Sequence, residues 1–167
     1  MNTAIVRPFM LSTRRVFEKM LECPCRVGKP TVSRGLGAED GTVRAVIKIS
    51  GSHQGYMVLN LPSTMASVIA SLLGAPKEMD TAAQNVWAGD QIATLVKTLV
   101  RRLSQSIKME FAVVAGADGS FERSVLRKQG AWLEVPMVGR FGKFTFALCV
   151  KPTQMIPPTP NEVALAG

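Results

Sequence analysis

Residues 43–74 read VRAVIKISGSHQGYMVLNLPSTMASVIASLLG, and this stretch decides the class of fold. Val43, Ala45, Ile47 and Ile49 alternate with Arg44, Val46 and Lys48, the period of two expected of a half-buried strand. Gly51-Ser-His-Gln-Gly55 supplies a turn, and Tyr56 to Leu61 returns as a second apolar strand. Pro62-Ser63-Thr64 then opens a segment in which Met65, Val68, Ile69, Leu72 and Leu73 recur at helical spacing, until Gly74 and Pro76 stop it. A hairpin that runs straight into a helix predicts a mixed domain, α/β in its α+β form.

On the N-terminal side, Phe9, Thr13, Val16 and Met20 share one helical face, widened by Phe17 and Leu21. Ser12, Arg15, Lys19 and Glu22 fall on the opposite face, and Pro8 suits a first turn, so the helix is expected over Pro8 to Leu21. Residues 22–41 form a Pro/Gly-rich connection with room for a short edge strand around Pro30 to Arg34. On the C-terminal side, Thr81 and Gln84 stand at capping-box spacing before the longest helix. Its apolar stripe is Ile92, Val96, Leu99, Leu103 and Ile107, while Gln91, Thr94, Thr98 and Arg101 line a polar face. After a loosely apolar stretch at Met109 to Ala115 and a charged loop to Gly130, Trp132 to Val138 and Lys143 to Val150 read as strands joined around Gly139 and Gly142. The expected organisation is one domain over residues 1–151 and a proline-rich tail, 152–167, with no packed structure of its own. The expected element order is helix, strand pair, two helices, then further strands in a largely antiparallel sheet.

The bulk numbers agree with a single core. At 167 residues, with 47% hydrophobic and 19% charged residues, the chain should bury about 70% of its unfolded surface. The three cysteines are an odd number, and Cys23-Pro24-Cys25 has no matching pair elsewhere, so reduced thiols are expected rather than a zinc site. Arg7 and Pro8 sit where a secretion signal would need its apolar run, and turn residues interrupt the uncharged stretch between Lys48 and Lys77. A cytoplasmic protein without a membrane span is expected.

The net charge of +8 favours an anionic partner, but the cations are scattered and no basic run is interleaved with stacking aromatics. Nucleic acid is therefore not the expected partner. His53, the single histidine, lies in the turn between two glycines and reads as a solvent-facing turn residue rather than a general base. No phosphate-binding glycine motif is present, and no cofactor is implied.

An ordered set of residues resembles the CheX proteins of the CheC/CheX/FliY group. It runs Arg7-Pro-Phe9, Val16-Phe17-Glu-Lys-Met20-Leu21, Gly28-Lys-Pro30, Ile49-Ser-Gly51 with Gly55, Leu61-Pro62, Met65-Ala66, Ile69-Ala70 and Leu72-Leu73-Gly74. The resemblance implies a dimeric α/β protein that removes the phosphoryl group from the aspartate of a response-regulator receiver, which carries its own Mg. In that group a Glu-x-x-Asn on the long helix offers an acid to the receiver's lysine and an amide that orients the attacking water, a matter of positioning for in-line displacement. Here the apolar frame of Ile92 to Val96 places Gln91 at the Glu position and Thr94 at the Asn position; a one-residue slip gives Asp90 and Ala93. Neither register holds the amide. A second site on the first helix corresponds to Ser12 and Arg15, which also depart from the motif.

The expected function is thus a receiver-binding domain whose phosphatase activity is weak or lost, with Thr98 and Arg101 extending the contact surface. Two alternatives stand beside it: a divergent active phosphatase, and a basic adaptor for an anionic polymer. The plainer reading of Gln91, Thr94, Thr98 and Arg101 is a wet helix face.

Overall fold

The computed structural model describes residues 2–36, 42–116 and 130–154. The first helix, α1 (Thr3–Arg15), begins five residues before its expected start because Asn2, not Pro8, organises the N-terminus: its Oδ1 accepts from the Ala4 N–H at 2.9 Å. Pro8 stands inside the helix. The chain then widens into one π-helical turn, Val16–Met20, in which the Leu21 N–H donates to the Val16 carbonyl. The extra residue per turn rotates the sequence, so Leu21 is buried while Met20 turns outward. Glu22, at φ 48°, ends the element, with the Cys23 N–H on the Phe17 carbonyl at 2.8 Å.

The strands are β1 (Arg26–Val27), β2 (Thr31–Ser33), β3 (Thr42–Gly51), β4 (His53–Pro62), β5 (Met109–Val113), β6 (Trp132–Gly139) and β7 (Gly142–Pro152). They form one sheet in the order β1-β6-β7-β4-β3-β5, with β2 also on β6, and every pairing is antiparallel. Strands β3 and β4 last pair at Ile49 and Gly55, so the hairpin turns through residues 50–54, within a residue of the expected Gly51 to Gly55. Gly51 pairs outward with Met109 and His53 with Pro152, which leaves Ser52 alone between the strands. Gly55 is obligatory there: at φ 152°, a Cβ would lie 1.8 Å from the Cys149 carbonyl oxygen.

Two further helices, α2 (Ser63–Leu73) and α3 (Thr81–Leu103), lie with α1 on one face of the sheet. That face contributes Ala45, Ile47 and Ile49 from β3, Met57, Leu59 and Leu61 from β4, and the alternate residues of β6 and β7. The other face carries a smaller cluster of Val46, Val58, Ala147 and Cys149, with Trp132 and Leu36. Burial of Cys149 holds its thiol above the usual range.

Two helix expectations are corrected. The buried face of α2 is Met65, Ala66, Ile69 and Ala70, whereas Val68 and Leu72 are 40% and 54% exposed. The small alanines let α2 approach β4 and α3 closely, so the helix turns them inward in preference to two larger side chains. In α3 the N-cap is Asp80, whose Oδ1 accepts from the Ala83 N–H at 2.8 Å, and Gln84 reaches instead to the Pro76 carbonyl. The buried stripe of α3 runs Asn85, Ala88, Gly89, Ile92, Ala93, Val96 and Val100, and Leu103 is exposed. A Cβ at Gly89 would stand 3.0 Å from Val43, so glycine lets α3 cross β3 at short range beside the residues of interest.

Strand β7 continues through Pro152, and Thr153 donates from its N–H to the Ser52 carbonyl and from its Oγ1 to the Gly51 carbonyl. The tail expected from 152 lies outside the described residues beyond 154, as does most of the charged loop before Gly130. No described helix is long and apolar enough to cross a membrane.

Candidate functional site

The outer face of α3 holds the candidate residues, and its orientation follows from its anchors. Asn85, buried between α2 and α3, accepts from the Ser67 hydroxyl at 2.8 Å and donates to the Ser63 carbonyl at 3.4 Å. Ile92, Val96 and Val100 lock the opposite side into the core. With one face fixed, Thr94, Thr98 and Arg101 are exposed and Gln91 is half-exposed. This is the polar face read from the sequence.

The slipped register does not form a surface pair. Ala93 is 1% exposed and packs in the core, so an amide at that position would point away from solvent. Its partner Asp90 is half-exposed, but both carboxylate oxygens stand 3.1 Å from the Gly116 N–H, just past the end of β5. Burial pushes the Asp90 carboxyl above the usual carboxylate range, and the Gly116 bond opposes that rise without cancelling it. Asp90 therefore holds a loop.

The hydroxyls of the face are also engaged within the helix. Thr94 Oγ1 donates to the Asp90 carbonyl at 2.8 Å, and Thr98 Oγ1 donates to the Thr94 carbonyl at 3.0 Å. Each oxygen keeps lone pairs for an outside donor but has given away its proton. Gln91 and Thr94 together offer a neutral, hydrogen-bonding surface with no acid and no free amide at the second position.

The pair on α1 is divided. Arg15 is exposed, but Ser12 is 0% exposed, with its hydroxyl unpartnered among the described residues. Ser12 lies three residues after Phe9 and four before Val16, in the middle of the buried stripe, so it cannot contribute to a surface there. That spacing alone puts Ser12 on the buried face, so the reading that set it among the polar residues is corrected. His53 opens β4 with its Nδ1 3.0 Å from the Ser52 hydroxyl. Cys25 donates to the Cys23 carbonyl at 3.3 Å, and burial first, then the neighbouring Cys23 thiol, push its thiol up to about 12.

Two parts of the surface escaped the sequence reading, which places only Arg101 and Asp90 of their residues at a site. Toward the N-terminus of α3, Met79, Ala82, Ala83, Val86 and Trp87 border a shallow apolar hollow that ends at Asp90. Toward the C-terminus, Lys97 and Arg101 overhang a groove against Met109, Glu110 and Phe111 of β5. Trp87 stands four residues before Gln91 and Lys97 seven after Asp90, so helical spacing alone would have placed each beside the face.

No protein-family model and no curated protein sequence matches the chain. Solved structures do. A CheC-like superfamily protein from Shewanella sp. PV-4 superposes with a TM-score of 0.70 at 19% identity, covering 90% of this chain and 99% of that one. The complex of CheX with CheY, BeF3 and Mg from Borrelia burgdorferi matches at a TM-score of 0.65 and 18% identity, over 88% and 97% of the two chains. The FliG–FliM complex from H. pylori matches at 0.61 and 12% identity, over 87% and 89%. The chain has the CheC/CheX-like fold expected from its sequence.

Proposed function

We propose that this chain, folded as CheX is, binds the receiver domain of a response regulator through the outer face of α3 and leaves the receiver's phosphoryl group in place. The observation that carries the reading is the state of the two motif positions. Gln91 and Thr94 sit on the exposed face at the spacing the resemblance requires, while the adjoining acid, Asp90, is bound to the Gly116 backbone. A neutral glutamine can accept a hydrogen bond from a partner lysine through its amide oxygen, but without charge assistance. Thr94 is short and branched, and its proton is spent on the Asp90 carbonyl, so it cannot orient water as a carboxamide does. Loss of one preorganised polar group commonly costs about 100- to 1,000-fold in rate, and here both positions differ.

The fold's occurrence in solved complexes with other proteins, CheY in one and FliG in another, supports a binding role. The hollow beside Trp87 and the cations Lys97 and Arg101 flank the pair and would widen the contact. Metal and phosphoryl chemistry would belong to the receiver.

The test is to pass a phosphorylated receiver over immobilised chain and, in parallel, to follow loss of its phosphoryl group with and without the chain. Retention with an unchanged decay rate is the expected result. Faster decay would establish a divergent phosphatase instead. Absence of retention, with binding only to a polyanion that salt abolishes, would replace both readings with the basic adaptor.

A further inference from the structure

Strand β5 ends the sheet, and its register shows which of its backbone groups are free. The Ser52 N–H donates to the Lys108 carbonyl at 2.8 Å and the Val114 N–H to the Val46 carbonyl at 2.9 Å. Between them, Glu110 stands opposite Ser50 and Ala112 opposite Lys48. In an antiparallel ladder the hydrogen-bonded pairs alternate, so Glu110 and Ala112 turn their backbone groups toward β3, and Phe111 and Val113 turn theirs away from the sheet. Among the described residues nothing pairs with that outer edge.

The edge runs beneath α3. Lys97 and Arg101, one helical turn apart, project over it and close a groove of about 300 Å³ with Met109, Glu110 and Phe111. Neither cation makes an ion pair among the described residues. Unpaired strand groups at a two-residue repeat lie beside two cations, Lys97 and Arg101, while Glu110, by the alternation of the strand, belongs to the face opposite Phe111; this arrangement fits an extended chain with acidic side chains on alternate positions.

We propose that the outer edge of β5 and the Lys97–Arg101 groove form a docking site for an extended acidic segment of another protein, added to the sheet as a strand. A second copy of this chain fits less well. Pairing β5 with its own symmetry mate would bring two sets of Lys97 and Arg101 to the same seam, and like charges facing across strands are unfavourable. The site uses neither Gln91 nor Thr94, and although Lys97 and Arg101 also border the proposed receiver face, backbone protection of Phe111 and Val113 reads the β5 edge alone.

The probe is an acetylated, amidated peptide of four Glu-Val repeats, with four Lys-Val repeats as its counterpart, and the readout is amide hydrogen exchange of the full chain. The Glu-Val peptide should slow exchange at Phe111 and Val113 by about tenfold or more at saturation, because those amides become ladder donors. Lys97→Glu with Arg101→Glu should abolish binding. Val113→Pro should do the same by removing an outward donor, at an edge position where proline is tolerated. The proposal is overturned if the Lys-Val peptide protects equally, if neither peptide does, or if the charge-reversed chain binds undiminished. Protection that grows with chain concentration in the absence of peptide would assign the edge to a second copy. Slow exchange at Phe111 and Val113 in the dilute chain alone would assign it to this chain's own residues.

Discussion

Single residues carry the sharpest consequences of the fold. Among the described residues Ser12 is a polar group without a partner in the middle of α1's buried stripe, and desolvating a hydroxyl that finds no bond costs on the order of 1–3 kcal/mol. Ser12→Ala removes the hydroxyl at little loss of volume. It should raise stability by about 1 kcal/mol in urea unfolding; a destabilised variant would mean that the hydroxyl is bonded after all. Asp90 has a pH signature. Its carboxyl is raised above 3.8 by burial, so between 3.8 and the folded value the native state holds a proton that the unfolded chain has released. Its contribution to stability is therefore greatest below 3.8, falls as the pH climbs through that window, and stays lower at neutrality. Asp90→Asn keeps an oxygen for the Gly116 N–H and does not titrate. Urea midpoints of the two chains, compared from acid to neutral pH, should show the native chain losing ground to the variant as pH rises. A difference independent of pH would assign the raised carboxyl elsewhere.

At the scale of elements, α3 is a helix whose two sides differ by one residue of rotation. Ala93 faces the core and Thr94 faces out, so the same asparagine should behave in opposite ways at the two positions. Ala93→Asn buries a carboxamide among apolar side chains and should cost about 2–4 kcal/mol. Thr94→Asn should stay within about 0.5 kcal/mol. Thermal unfolding separates them, because each kcal/mol moves the midpoint by about 2–4 °C at this size. The functional counterpart is Gln91→Glu with Thr94→Asn, which restores an acid and an amide on the exposed face. A receiver that binds the native chain should lose its phosphoryl group faster, by about tenfold or more, in the presence of this double variant. Unchanged decay with intact binding would place the decisive loss outside these two positions.

The whole molecule holds the last predictions and the limits of what local sequence can say. A chain ending at Gln154 keeps the Thr153 bonds that tie β7 to the β3–β4 hairpin, and its thermal midpoint should lie within about 2 °C of the full chain. Light scattering at micromolar concentration should give twice the monomer mass if the exposed apolar residues of the β1–β2 edge, Val27 and Val32 among them, are covered by a second copy. A monomeric mass would leave that edge for another partner. The order of elements, the strand limits near Gly139 and Gly142, the stop at Gly74 and the exposed set Thr94, Thr98 and Arg101 were all legible in the chain, because turn chemistry and side-chain period act over a few neighbouring residues. The same local signals did not show the π-helical turn after Arg15 that carried Met20 out, whereas the inward place of Ser12 was legible from its spacing to Phe9 and Val16 and was misread. Nor could they show that Ala66 and Ala70, rather than Val68 and Leu72, would be turned inward, or that Asp90 would be spent on Gly116. Those outcomes, like the strand order that leaves β5 open beneath Lys97 and Arg101, were decided by tertiary structure, since each depends on packing and pairing between residues far apart in the chain.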